Sequence, residues 1–333
     1  MPDAKPLVVA VDCLGEPAQQ ACVRSALGSS AELAGVGFGW PRSADVGVLE
    51  RAAVVLMRSL HELSGGVAPH LSSRTVVLTA PWCWEAELEL AAELHVARVL
   101  RAMPGGEALA EERADTEVAL ITGLVRKTFA LQLCLQRGAW LPPHSAYRGA
   151  RRCSSLLVGL VGLDESTAGV AKRCTAFGMR VVFVHPLPAR DTICEPTEED
   201  LALVSAAIKC GATAAASLTA LLGNCDVIAL HSPPEAGTVL GAAQIGGLHC
   251  GQYLVHTGST GLDCGALKKA LFAKQLAGAA LDAPDTDAFL EAASRETRDL
   301  VLTQRGAAHS DEADRDAALP AARLALAVIR GEV

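Results

Sequence analysis

Leu156-Leu157-Val158-Gly159-Leu160-Val161 runs directly into Gly162-Leu163-Asp164-Glu165-Ser166-Thr167, and the reading of this stretch decides the fold. The first six residues are apolar apart from one Gly and read as a buried strand. Gly162 breaks it, a helical pattern follows to Phe177, and a second strand runs from Arg180 to Val184. Strand, tight turn, helix and strand make a βαβ unit, which implies a parallel sheet with right-handed crossovers. Such a turn holds the pyrophosphate of a dinucleotide when it has the pattern Gly-x-Gly-x-x-Gly. Only the first Gly, Gly162, is in place here. Asp164 stands at the second position with Glu165 beside it, so two carboxylates face a helix N-terminus suited to anions. Asp164 is expected to cap the helix that follows. The end of the second strand, where Asp or Glu ordinarily holds the ribose, offers His185. His185 can donate one hydrogen bond but lacks two acceptor oxygens. Gly162, Leu163 and His185 are the cofactor-contacting candidates of this half.

Working outward, Leu7–Val11, Ala52–Met57 and Thr75–Thr79 read as strands, with helical patterns at 17–27 and 85–94. Residues 109–140 keep helical spacing throughout, with acids early (Glu111, Glu112, Asp115, Glu117) and bases late (Arg126, Lys127), an order that suits the helix dipole. So long and apolar a helix is expected to link lobes or to pack against a second copy. Residues 191–200 are acidic and contain Pro196, and read as a loop. Later strands are expected at 226–230, 252–257, 277–281 and 300–303, with a helical tail at 319–330. Strands alternating with helices define an α/β fold, and 333 residues suggest two lobes.

Half of the chain is hydrophobic and the net charge is −8. An acidic chain without clustered Lys and Arg is not expected to bind nucleic acid directly. No apolar run is long enough to cross a bilayer, so no membrane insertion is expected, and the N-terminus lacks the basic and apolar regions of a secretory signal. The eleven cysteines are odd in number and contain no Cys-x-x-Cys pair. Free thiols in a reducing compartment are the expectation, with no metal site.

Several phrases resemble successive signatures of the D-isomer-specific 2-hydroxyacid dehydrogenases. They are the stretch from Leu156 to Pro186, Asp226-Val-Ile-Ala-Leu-His-Ser-Pro-Pro, Thr238, Leu254-Val-His-Thr-Gly, and Gly278-Ala-Ala-Leu-Asp282. Residues 114–128 and Tyr147-Arg-Gly-Ala-Arg-Arg-Cys153 further resemble the C-terminal binding proteins, in particular their plant Angustifolia-like branch. The resemblance runs from about Ala52 to the C-terminus. It implies two Rossmann-like parallel-sheet lobes, with a nucleotide lobe (116–305) inserted into a flavodoxin-like substrate-type lobe (1–115 with 306–333). It also implies a homodimer. On the cofactor side it points to His231, Ser232, Pro233 and Thr238 after one strand, Thr257, Gly258 and Ser259 after the next, and Asp282.

The family's reaction needs an Arg to anchor a carboxylate, a His to move a proton, and a carboxylate beside that His. The positions matching these roles hold Ser259 for the Arg, Asp287 for the carboxylate and Arg305 for the His. Ser259 brings no charge, and the Arg305 guanidinium cannot act as a base. His256 and His309 are the neighbours that could take over the proton. In the N-terminal lobe, Trp82 and Trp84 occupy the place of the family's Gly-rich loop, either as a partner-binding patch or packed under a helix.

The expectation is therefore a non-catalytic, dimeric scaffold or corepressor-type regulatory protein with a degenerate NAD site of weak affinity. A divergent NAD-dependent 2-hydroxyacid oxidoreductase is the competing reading. A nucleotide sensor without turnover is the third. By resemblance the location is cytoplasmic or nuclear, with a peripheral trans-Golgi role.

Overall fold

The computed structural model describes residues 5–11, 17–36, 43–57, 67–79, 92–96, 98–101, 106–140, 142, 145, 147–185, 197–231, 237–258, 260–282, 299–303, 306–308 and 310–332. The chain divides into two compact units, Met1–Leu109 with His309–Val333 and Ala110–Ala308. The sequence reading set these divides at 115/116 and 305/306.

In the first unit, β1 (Leu7–Val11), β2 (Glu32–Val36), β3 (Ala52–Met57), β4 (Val76–Thr79) and β5 (Arg98–Arg101) form a sheet in the order β2-β1-β3-β4-β5. All pairs are parallel. This is the flavodoxin-like order. One face packs Val8, Ala10, Val54 and Leu56 against Val23 and Leu27 of α1 (Pro17–Leu27) and Ala322 and Ala325 of the C-terminal helix, Asp311–Arg330. The C-terminal helix thus completes a core begun by the first strand.

The second unit is built on a seven-stranded parallel sheet. Its strands are β6 (Leu157–Val161), β7 (Arg180–Val184), β8 (Ala212–Ala214), β9 (Val227–Leu230), β10 (Tyr253–His256), β11 (Gly278–Asp282) and β12 (Leu300–Thr303). Their order is β12-β11-β10-β9-β6-β7-β8, with β6 near the middle and the strand order reversing between β6 and β9. That is the doubly wound dinucleotide topology, in which ligands bind beyond the strand C-termini at the reversal. The strands are near-continuous apolar runs because both faces are covered. One face packs against Ala114, Val118, Ile121 and Val125 of a long helix and Val170 and Cys174 of another. We label these helices α3 (Gly106–Val125) and α5 (Thr167–Ala176), with α2 (Ser43–Leu49) before them and α4 (Thr128–Gln136) between them. Gly169 lets α5 approach α3, since a Cβ there would lie 2.9 Å from that of Ala114. Arg173 then bridges from α5 to Glu111 (2.6 Å) and Asp115 (2.5 Å) on α3.

The structure corrects the sequence reading in two places. The expected single helix over 109–140 breaks at Lys127, whose φ is 61°, and α3 and α4 meet at a bend of 70°. Tertiary bonds hold the break. Val125 O accepts from Arg151 N (2.8 Å), and Lys127 pairs with Asp299 (3.3 Å) while lying over the Tyr253 ring. Helical periodicity survives the break, which is why the pattern hid it. The acidic stretch read as a loop ends in a helix instead, α6 (Glu198–Lys209). Thr197 caps it reciprocally with Asp200, the capping-box geometry.

Candidate functional site

The carboxyl ends of β6, β7, β9, β10 and β11 bring most of the described site candidates together. Gly162 follows β6 at φ 82°, a left-handed conformation that favours glycine, and its N–H bonds Val184 O. The next amide, Leu163 N–H, donates to His185 Nδ1 (3.2 Å). His185 Nε2 faces Asp200 Oδ1 at 2.7 Å. With Nδ1 accepting, Nε2 carries the proton and donates. Both ring nitrogens are spent within the chain, which leaves His185 no polar atom to offer a ribose.

Asp164 is not the cap residue that the sequence reading expected, but it bonds the start of α5 from outside the helix. The N-terminal boundary residue of α5 is Ser166, already in the helical region, and Asp164 reaches it from two residues upstream. Its Oδ1 accepts from Ser166 N (3.0 Å), Ser166 Oγ (2.6 Å) and Thr167 Oγ1 (3.0 Å). Its Oδ2 accepts from Arg113 (2.7 Å), and His231 Nδ1 stands 3.3 Å from Oδ1. Burial opposes ionisation here, but the charges of His231 and Arg113 and the Ser166 hydrogen bond hold the carboxyl far below the usual range.

His231 follows β9, and its side chain is fully buried. Its Nε2 meets Glu117 Oε1 at 3.0 Å, while Glu117 Oε2 accepts from Thr257 Oγ1 at 3.0 Å. Burial disfavours a charged imidazole, yet the carboxylates of Glu117 and Asp164 outweigh it and push His231 up to about 10. His231 is therefore a buried imidazolium between two carboxylates. His256, at the end of β10, has the opposite character. Burial first, and the nearby His231 charge, lower its pKa, although its bond to Leu230 O (3.0 Å) works the other way. It is neutral and donates from Nδ1. Gly258 lies against it, since a Cβ there would come 2.9 Å from His256 Cε1.

Asp282 is also engaged. Oδ1 accepts from Thr303 Oγ1 (2.7 Å) and Gly306 N (2.9 Å), and Oδ2 from Ala307 N (2.9 Å). Thr238 is exposed. Ser232, Pro233, Ser259, Asp287, Arg305 and His309 lie outside the described residues, as do Trp82 and Trp84.

Sequence reasoning missed Arg113 and Glu117 as site residues. They stand four apart on α3, hence on one face, and that face meets the strand ends. The available signal was a Glu next to the apolar run Val118-Ala119-Leu120-Ile121, an unusual place for an unpaired charge. Among the described residues no cluster of His, Cys, Asp or Glu could hold a metal ion, and the described cysteines are free thiols. No single described helix is long and apolar enough to cross a membrane.

This fold and strand-end site define a dehydrogenase-type nucleotide lobe. Residues 118–304 match the NAD binding domain of the D-isomer specific 2-hydroxyacid dehydrogenases, and the chain belongs to that family. It is similar to C-terminal binding protein AN of Arabidopsis thaliana, with 32% identity over 317 residues, 93% of this chain and 46% of that protein. The chain spans about half the length of the curated relatives it matches. Among solved structures, the TT0316 protein of Thermus thermophilus superposes with a TM-score of 0.67 at 24% identity, covering 98% of this chain and 97% of that one. D-Lactate dehydrogenase from Aquifex aeolicus, complexed with NAD and lactic acid, gives 0.64 at 19% identity, covering 98% and 96%. At these identities the likeness establishes the fold. The nucleotide that the family's domain is named for needs free donors at the β6 turn. The residues present do not fit a pyrophosphate there unless Asp164 is displaced.

Proposed function

We propose that this chain is a non-catalytic, dehydrogenase-fold scaffold, a corepressor-type regulatory protein that works as a homodimer and binds NAD weakly. The observation that carries this reading is the internal use of the polar groups expected to meet cofactor. Leu163 N–H serves His185, Thr257 Oγ1 serves Glu117, and Asp282 serves the 306–307 amides. A buried donor or acceptor already paired gains little from a ligand and must lose a bond to receive one. The sequence adds Ser259 and Arg305 where the family's Arg and His would stand. The relative named a C-terminal binding protein favours a role in protein binding. For the dimer, α4 is apolar along most of its length, yet Cys134 is its only buried residue. Leu135 within it, and Trp140 and Tyr147 after it in the chain, are 49%, 82% and 52% exposed. A cytoplasmic or nuclear location, with a peripheral trans-Golgi role, is part of the proposal.

The test is NADH oxidation across a broad panel of 2-keto acids at high protein concentration. No turnover is expected. Steady NADH consumption with any member would establish the divergent 2-hydroxyacid oxidoreductase instead.

A further inference from the structure

The β6 turn holds a complete set of anion-binding groups. Ser166 N–H at the start of α5, the hydroxyls of Ser166 and Thr167, the Arg113 guanidinium and the His231 imidazolium all converge on one carboxylate. A phosphate at a helix N-terminus recruits the same kinds of donor. Two of the groups are cations and two, Asp164 and Glu117, are anions, so the cluster is neutral. Neither anion is incidental. Asp164 replaces the Gly that lets a backbone approach a pyrophosphate, and Glu117, 1% exposed, closes the far side of His231 and binds Thr257 as well. His256, the other buried titratable group beside this cluster, is uncharged and leaves the balance unchanged, while the neighbouring Glu165 is exposed to solvent.

We propose that Asp164 and Glu117 stand in for an anionic cofactor, supplying from the chain itself the two negative charges that a pyrophosphate would bring to this turn. The nucleotide lobe is thereby electrostatically complete without nucleotide. This rests on the weak-binding reading above and adds how the lobe keeps its order in the absence of ligand. Without such anions, the Arg113 guanidinium would stand uncompensated at the turn and His231, its burial unopposed, would give up its proton.

The test uses the full chain, with thermal unfolding followed in the presence and absence of millimolar NADH or inorganic pyrophosphate. The wild-type midpoint is expected to move little with either. Asp164→Gly, which restores the missing Gly and removes one anion, is expected to lower the midpoint by on the order of 10 °C. At least half of that fall should return with pyrophosphate or NADH. Asp164→Asn keeps the shape and the turn, and serves if the Gly variant does not fold; a smaller fall with the same rescue is expected. Asp226→Asn is the control for general stabilisation by anions. Asp226 pairs with Arg151 (3.0 Å) and caps Leu157 N–H (2.8 Å) away from the turn, so its variant should fall without rescue. If the wild type ignores both ligands and the Asp164 variants are rescued no better than Asp226→Asn, the proposal is overturned while weak NAD binding stands. A wild-type midpoint raised by NADH as far as that of a rescued Asp164 variant overturns both.

Discussion

His231 Nε2 lies 3.0 Å from Glu117 Oε1, and the two side chains are 0% and 1% exposed. A buried, charged His–Glu contact links α3 to the end of β9. It makes stability depend on pH in a defined direction. The folded chain holds the His231 proton up to about pH 10, whereas an unfolded His releases it near 6.5. The contribution is therefore complete below about pH 6.5 and is lost as pH rises toward 10. Denaturant unfolding between pH 6 and 10 should show the decline, amounting to a few kcal/mol, and His231→Asn should flatten it. Asp164 acts with the opposite sign, since its lowered pKa gives stability above the ordinary carboxylate range that acid removes.

Removing Glu117 leaves the buried His231 Nε2 without its partner, with Asp164 as the one remaining carboxylate contact among the described residues, and takes the acceptor from the Thr257 hydroxyl. Glu117→Ala is expected to cost about 3–5 kcal/mol, the usual penalty for breaking one side of a buried pair. Glu117→Gln, which keeps the shape and an acceptor, should cost clearly less. Urea midpoints with an unchanged m-value check both; equal, small losses would mean that the charge contributes nothing.

Two glycines should respond oppositely to Ala. At Gly278 a Cβ would stand 2.7 Å from the Asp299 carbonyl oxygen, a backbone atom with little room to give, so Gly278→Ala should destabilise by about 1–3 kcal/mol. Gly223, inside α7 (Leu218–Asn224), has open space around it. Gly223→Ala should stabilise by about 0.5–1 kcal/mol. Thermal midpoints of the two variants, moving in opposite directions, are the expected result.

If the apolar surface of α4 and the exposed Trp140 form the proposed dimer contact, a charge placed there should break it. Leu135→Glu and Trp140→Glu are expected to shift the mass measured by light scattering from dimer to monomer at micromolar concentration, with secondary structure retained. A wild-type chain that is monomeric under the same conditions would count against the dimer.

Much of the fold was legible because the parallel strands are buried on both faces and appear in sequence as short apolar runs. The turn at Gly162 and the loss of its partner glycines were equally plain. Short edge strands such as β2, β5 and β8 were not read, since Glu32–Val36, Arg98–Arg101 and Ala212–Ala214 lack a long apolar run. Nor was the break at Lys127, because its causes, Arg151 and Asp299, lie far along the chain.

At the site, the sequence by itself determined that Asp164 follows the first glycine of the turn and that His185 ends the second strand. Local order sufficed because these positions are fixed by the strands that precede them. Only the tertiary structure decided what those side chains do. Asp164 became the centre of an ion cluster because α3 delivers Arg113 and β9 delivers His231 to the same point, 51 and 67 residues away in sequence. A carboxylate's pKa and its ability to exclude a phosphate depend on charges within a few ångströms, and that proximity is set by helix–sheet packing rather than by spacing along the chain.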